Sequence, residues 1–478
     1  MLRKLFKNKI VLYMSTRYIT YILTFIVNML LASKLGPANY GIWSFLMLVF
    51  WYFNIFDFGV PSAIQIMLVQ NKTNVSRMSD IEKTGNVLIS LLALVCFIVA
   101  IYYCVGGIKK AHDLNLGWMF YVICVCGLFN YFCILYDKIY RVKNRLFELA
   151  FKQTSVVFFL AVAVFCLNNR LLEGLVISYL AWCLSSFFVF YFRGGLDFSG
   201  RYDKVISKEV LKKGFFLFVF HSGFSFIIII TKTIVSAYYS LEEFGLFSFA
   251  YYLGHVVYSC LLAFSTIVIT KLLDRFHSPD KNIVISTIYI VRENYVKLFH
   301  GIIYLSMVSF PIILYFMPKY SSTLPCMLLC SLMMLCYTNS FGYSTYLMAV
   351  NKEKKLAFIS VSSLMINLVL GLLIVHIHAK YDYIVFGTMI AYLNFAVMCT
   401  YYGRKELNLP TSLYDVFTDC FPLSLLIPFS VAFLIALINI QWVLIIPFFI
   451  FVIINVKSIK SIFFTTKKLL NNPKLIDI

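Results

Sequence analysis

Charge is scarce in this sequence. Asp, Glu, Lys and Arg make up 13% of its 478 residues, about half the share of a soluble globular domain. Apolar residues make up 61%. No soluble core needs that much apolar surface, so the excess must face lipid. That excludes a soluble enzyme and any sizeable extramembrane domain. Acid is scarcer still, with 21 Asp and Glu against 41 Lys and Arg, for a net charge of +20. In a soluble chain such a surplus would suggest nucleic acid. In a membrane chain it is first read by the side on which it lies, and no nucleic-acid partner is inferred. The 13 cysteines lack ligand spacing, and Cys124, Cys126, Cys326 and Cys330 all sit in apolar runs. They read as small core residues, with no disulfide framework, metal site or cofactor expected.

What is abundant is long apolar runs. A bilayer-spanning helix takes about 20 residues. Fourteen runs are bounded by charges and turn residues, at roughly 11–33, 40–67, 85–105, 117–136, 153–168, 174–192, 214–236, 244–270, 294–317, 323–350, 356–376, 383–402, 420–438 and 441–456. The expected fold is all-α, with about 14 transmembrane helices and short loops. The first run is too long for a signal peptide and no small-residue cleavage site follows it, so it is expected to remain in the mature protein. Pro61 and Pro311 are expected to kink their helices.

Alternate loops differ sharply in basic residues. One side collects 33 Lys and Arg, including Lys138, Arg141, Lys143, Arg145 and Lys152 in one loop and Arg201, Lys204, Lys208, Lys212 and Lys213 in another. The opposite side holds six: Lys34, Lys109, Lys110, Arg170, Lys319 and Lys380. The basic side is expected to be cytoplasmic, which puts both termini inside and requires an even number of spans. Trp43, Trp118 and Trp442 fall at the outer helix ends, where interfacial Trp is common. Setting aside Lys297, which stands at the start of the 294–317 run and is counted with the basic side, only Arg17 and Lys232 remain inside spans.

The sequence also repeats. Ala32–Phe45 recurs as Ser236–Phe249 at an offset of 204, with Gly41, Ser44 and Phe45 matching Gly245, Ser248 and Phe249, and Tyr40 matching Phe244. Leu149-Ala-Phe151 echoes as Leu356-Ala-Phe358, and Ser178-Tyr-Leu180 as Ala391-Tyr-Leu393. Six spans per half is an even number, so the halves share one orientation, as in parallel-repeat transporters. The expected organisation is a six-helix lobe over 1–200, a second over 201–405, and two further helices with a basic tail over 406–478.

Leu35-Gly-Pro-Ala-Asn-Tyr-Gly41, followed by Asp57-Phe-Gly59, resembles the start of the polysaccharide-export and O-antigen repeat-unit flippases (Wzx-type). These belong to the multidrug/oligosaccharidyl-lipid/polysaccharide (MOP) superfamily. The step at Asn351-Lys-Glu-Lys-Lys355 is similar to that family too, and the resemblance covers about residues 10–460. It implies a central cavity between two six-helix lobes and alternating access. It implies a transporter rather than an enzyme, in the bacterial inner membrane. The implied cargo is an undecaprenyl-diphosphate-linked oligosaccharide for O-antigen, capsule or exopolysaccharide, with the lipid bilayer and the polymerase machinery as partners.

Such a cargo carries negative charge that cannot cross hydrocarbon bare. In the first span Arg17, Tyr21, Thr24 and Asn28 fall at i, i+4, i+7 and i+11, on one helical face. In the seventh, His221, Ser225 and Lys232 have the same spacing. The repeat superposes Arg17 on His221 and Asn28 on Lys232. Equivalent helices thus carry a polar stripe in the same phase, as two helices facing a shared cavity would. Taken singly, Arg17 lies about 9 Å from the cytoplasmic end and Lys232 about four residues from the outer end, so either could snorkel to headgroups. His255 and His300 lack the symmetry and read as core residues. Asp57 is the only acid well inside a span. It would suit a coupling proton or Na⁺. The favoured reading is a structural motif with Gly59, the character that the resemblance gives Asp-x-Gly.

Two other functions compete. A repeat-unit polymerase or lipid-dependent glycosyltransferase resembles others of its kind in having a large outer loop with Arg or acidic residues. Here the longest outer loop, 106–116, is short, and the outer acids are scattered with no acid/base spacing. A drug–cation exporter of the superfamily would need a negative cavity. The spans offer one Asp against Arg17, Lys232 and His221.

Overall fold

The computed structural model describes residues 9–105, 116–193, 195–276, 278 and 280–460. The described residues form helices and turns, with no strand among them. Each of the fourteen apolar runs falls on helix. Nine helices are long and apolar enough to cross a membrane among the described residues, or ten if Leu413–Cys420 and Leu423–Ile438, bent by 70°, count as one. The first of the nine, Ile19–Ile55, takes in most of the first run and the first part of the second.

The chain packs as two compact units, Met1–Ser225 and Phe226–Ile478. The first unit contains α1 (Lys9–Ile55), α2 (Val60–Gln70), α3 (Val75–Val105), α4 (Trp118–Val142), α5 (Leu146–Cys166), α6 (Leu171–Phe192) and the start of α7 (Lys204–Tyr238). Its core joins Ile64 and Met67 of α2, Ile81 and Ile89 of α3, Leu135 and Ile139 of α4 and Phe190 of α6. Tyr140 donates to the Phe190 carbonyl at 2.5 Å, which satisfies its buried hydroxyl. The lipid-facing sides are equally clear. Ile19, Ile22, Leu23 and Ile26 of α1 and Leu91, Leu94 and Ile98 of α3 are exposed apolar stripes at helical spacing.

The second unit contains the rest of α7, α8 (Leu241–Phe276), α9 (Lys281–Val291), α10 (Lys297–Phe316), α11 (Leu324–Thr338), α12 (Tyr343–Ala349), α13 (Glu353–His376), α14 (Ile384–Glu406), α15 (Leu413–Cys420), α16 (Leu423–Ile438) and α17 (Ile446–Ile454). A π-helical turn, Arg292–Val296, joins α9 to α10. The helix pairing of the first unit recurs inside the second. As α4 packs on α1, α3 and α6, and α5 on α6, so α11 packs on α8, α10 and α14, and α13 on α14. The additional α16 and α17 pack on each other, α16 against α11 and α17 against α10.

The repeat is also visible in the chain's corners. Gly36 breaks α1 with φ +70°, and Pro37 opens the second half at a position that needs no N–H. The offset of 204 carries this pair onto Ser240 and Leu241. There a capping box starts α8: the Ser240 N–H and hydroxyl donate to Glu243 Oε2 at 2.9 and 2.7 Å, and the Glu243 N–H donates back to Ser240 Oγ at 3.2 Å. Different chemistry makes the same corner, and Tyr40 and Phe244 are both buried behind it. A second corner is closer still. Asn144 and Asn351 both adopt φ +55°. Each is followed by a residue whose N–H reaches back five positions, Arg145 to the Tyr140 carbonyl and Lys352 to the Leu347 carbonyl, both at 3.0 Å. Leu149 and Leu356 are then buried at the matching positions.

Two expectations are corrected. Pro61 does not kink a helix. The chain has already broken at Asp57–Gly59, and Pro61 stands in the first turn of α2, where its missing N–H costs nothing. Pro311 does lie inside α10. Trp43 is not interfacial. It is 5% exposed, edge-on to Tyr179 at 5.9 Å, and belongs to the core between α1 and α6. Trp118 and Trp442 are exposed, as interfacial residues are.

Candidate functional site

The α1 stripe is built from side chains that turn back on their own helix. Thr20 Oγ1 donates to the Thr16 carbonyl at 2.8 Å, Thr24 Oγ1 to the Thr20 carbonyl at 2.7 Å, and Asn28 Nδ2 to the Thr24 carbonyl at 2.8 Å. Each bond spans four residues, the usual way a polar side chain is satisfied in an apolar helix. Tyr21, Thr24 and Asn28 are half-buried. They face away from the exposed Ile19, Ile22, Leu23 and Ile26, so the stripe is not the lipid face. The Arg17 side chain lies outside the described residues, as does that of His221. Ser225 is half-buried on α7.

Lys232 has the most informative surroundings. Its Nζ lies 4.5 Å from the centre of the Tyr251 ring of α8. Among the described residues no carboxylate forms an ion pair with it. Protein encloses it, yet part of its surface stays accessible. A charge at a helix centre costs about 2.5–3.5 kcal/mol to insert, which is an upper bound for Lys232, six residues before the end of α7. A desolvated cation on an aromatic face recovers about 2 kcal/mol or more, so the ring offsets much of that cost but brings no negative charge.

The ring belongs to a larger face. Tyr251 stacks on His255 at 5.4 Å, His255 shares a 2.9 Å hydrogen bond with Ser259, and the His255 ring lies 5.7 Å from Tyr258. Tyr258 meets Tyr337 of α11 at 5.7 Å, and Tyr337 meets Tyr392 of α14 at 5.5 Å. Sequence reasoning placed His255 in the core and passed over the tyrosines. The signal was present: Tyr251, His255 and Tyr258 fall at i, i+4 and i+7, the spacing that identified the stripes.

The neighbouring residue fixes the phase of α7. Thr231 is buried, 2.8 Å from Thr388 of α14, and accepts from Asn367 Nδ2 of α13 at 3.0 Å. Asn367 Nδ2 also reaches the Ile227 carbonyl at 2.8 Å. With Thr231 pinned to α13 and α14, Lys232 is rotated about 100° away, toward α8.

The other polar residues have structural partners. Asp57 Oδ1 accepts from the Gly59 N–H at 2.7 Å, an Asx-type turn. Gly59 has φ +69° and backs onto Gly214, where a Cβ would collide with the carbonyl. His300 is fully buried, 3.1 Å from Asn339 Oδ1 and 3.2 Å from the Tyr304 hydroxyl. In the basic loops, Lys143 pairs with Glu82 at 2.5 Å, and Arg145 donates to the Arg193 carbonyl at 3.0 Å.

These features define an all-helical membrane protein with the fold of MOP-superfamily transporters. A multidrug resistance MATE family transporter of that superfamily, inward-facing, is similar with a TM-score of 0.67 and 11% identity, over 81% of this chain and 94% of that one. The lipid II flippase MurJ, inward closed, is similar with a TM-score of 0.64 and 15% identity, over 95% of this chain and 99% of that one. A MOP superfamily transporter from Pyrococcus furiosus, described with a binding pocket of reverse polarity, gives a TM-score of 0.55 and 11% identity, over 83% and 94%. No curated protein matches the sequence. Residues 5–270 match the family described as polysaccharide biosynthesis protein, and the chain belongs to that family.

Proposed function

We propose that this chain is a flippase. It carries an undecaprenyl-diphosphate-linked oligosaccharide from the cytoplasmic to the outer leaflet of the bacterial inner membrane by alternating access. The observation that carries the reading is Lys232, an enclosed cation on an aromatic face with no carboxylate paired to it among the described residues. Membership of a polysaccharide biosynthesis family supplies the class of cargo. The diphosphate offers the negative charge that Lys232 lacks, and sugars suit a face of tyrosines.

In this reading Arg17, Tyr21, Thr24 and Asn28 of α1 and His221, Ser225 and Lys232 of α7 line the substrate path. Arg17 meets the head group toward the cytoplasm and Lys232 toward the outside. Asp57 is committed to its turn. The chain crosses the membrane fourteen times with both ends in the cytoplasm, as two six-helix lobes, 1–200 and 201–405, with two further helices within 406–478. The 33-to-6 distribution of basic residues supports this orientation. A drug–cation exporter would require carboxylates where Lys232 stands.

Deletion of the chain tests the reading. Surface polysaccharide should be lost while the lipid-linked unit accumulates on the inner leaflet. Accumulation on the outer leaflet would mean a polymerase. Unchanged polysaccharide with raised drug sensitivity would mean an exporter.

A further inference from the structure

Away from Lys232, the second unit carries a half-open cavity of about 390 Å³. It lies where α9 and its π-helical turn meet the end of α14 and the bend between α15 and α16. The loops at this level belong to the strongly basic side of the sequence. The cavity wall carries three cations, Arg292, Lys297 and Arg404, against two carboxylates, Glu293 and Asp419. Lys297 is matched, reaching Glu293 Oε2 at 2.5 Å and Ser458 Oγ at 3.0 Å. Asp419 is shared. It accepts from Arg404 Nη1 at 2.6 Å and from the Tyr343 hydroxyl at 2.5 Å, with Arg292 Nε 3.4 Å away.

The two arginines differ in what they have left to give. Arg292 spends its Nη groups on the carbonyls of Asn339, Asp419 and Cys420, so it holds helix ends together. Arg404 spends Nε on the Pro410 carbonyl at 2.7 Å and Nη1 on Asp419, and also meets the Tyr343 hydroxyl, so three partners draw on a guanidinium with five N–H donors. Among the described residues that line the cavity, cations outnumber carboxylates by one. Ile285, Ile288, Leu407, Leu409 and Leu425 supply apolar walls around it. π-helical turns such as Arg292–Val296 are frequent at functional sites.

We propose that this cavity binds an anionic phospholipid of the cytoplasmic leaflet, with its phosphodiester on Arg404 and its glycerol and first methylenes against the aliphatic walls. A phosphodiester brings one negative charge, the amount that is missing. A zwitterionic lipid adds an ammonium that Arg404 disfavours. Inorganic phosphate has nothing to place on Leu407 and Leu409. The proposal does not depend on what the chain transports.

The test is native mass spectrometry and thermal unfolding of the purified full-length chain in detergent. The probes are dioleoylphosphatidylglycerol, dioleoylphosphatidylethanolamine and inorganic phosphate, each added separately. Wild type should retain one tightly held phosphatidylglycerol and unfold at a higher temperature with it. Arg404→Gln should bind that copy at least about tenfold more weakly, from loss of charge-assisted bonds. Leu409→Trp should lose it as well by filling the cavity, and because it touches no charge it decides the matter if Arg404→Gln fails to fold. Retention of the tight lipid in Leu409→Trp would overturn the proposal. So would equal binding of phosphatidylethanolamine, or a stabilisation reproduced by inorganic phosphate alone.

Discussion

Lys232 and Tyr251 stand one helix apart in the second unit, with the ammonium 4.5 Å from the ring centre. The pair gives the cation a reason to stay folded without neutralising it. If the ring holds the ammonium in place, Tyr251→Phe should keep glycan export near wild type, because the π face is retained. Tyr251→Ala should lower export without lowering protein abundance. Lys232→Arg should retain part of the export, and Lys232→Gln should lose most of it. Export and membrane abundance measured together check this. Equal export by Tyr251→Phe and Tyr251→Ala would remove the ring from the account.

Asp57 offers a clean separation of two roles. Its Oδ1 accepts one backbone N–H, from Gly59. Asp57→Asn retains an acceptor at that atom but cannot carry a proton. The variant should therefore keep both stability and transport, whereas Asp57→Ala should destabilise the turn by about 1 kcal/mol. Transport lost in a normally folded Asp57→Asn would mean that the carboxylate titrates or binds a cation during the cycle.

Gly59 should tolerate no side chain. Alanine there meets a left-handed φ of +69° and the Gly214 carbonyl together. Gly59→Ala should cost roughly 2–4 kcal/mol, combining backbone strain with overpacking. Thermal unfolding in detergent reads this directly, and an unchanged Tm would contradict the packing described for α2 and α7.

The matched asparagines give a paired measurement. Asn144 and Asn351 share φ +55°. Replacing either with glycine should leave stability nearly unchanged, and replacing either with alanine should cost about 1 kcal/mol. The two sites should respond alike. A large difference between them would show that the corners, though alike in backbone, do not carry like loads.

The fourteen-span topology is checked by single cysteines in a background free of native thiols. A probe at Asn115 should react from outside the cell, and one at Lys204 should react only after the membrane is opened. Outside labelling at Lys204 would overturn the orientation.

Much of this was legible from residue spacing. Apolar runs gave the helices because lipid allows few alternatives; the Ala32–Phe45 and Ser236–Phe249 segments gave the repeat, and Leu35–Gly41, Asp57–Gly59 and Asn351–Lys355 the family resemblance. The stripe on α1 was legible because 3.6-residue periodicity survives in sequence, while the His221 side chain of the α7 stripe lies outside the described residues. What was hidden depended on neighbours. Trp43 carried the composition of an interface and went into the core, where it meets Tyr179 of α6 in a T-shaped contact. The Tyr251, Tyr337 and Tyr392 cluster draws on α8, α11 and α14, and no spacing within one helix shows that three helices converge. Asn367 and Thr388 are single polar residues in apolar runs, and only their bonds to Thr231 show how Lys232 is aimed.

The central claim is that Arg17 and Lys232 serve an anionic lipid-linked cargo rather than snorkelling to headgroups. The most direct measurement is polysaccharide export by the Arg17→Ala/Lys232→Ala double variant in a strain lacking the chromosomal copy, at membrane abundance matched to wild type. The account predicts loss of surface polysaccharide, with the lipid-linked unit accumulating on the inner leaflet. Export at the wild-type rate from a normally abundant double variant would contradict it.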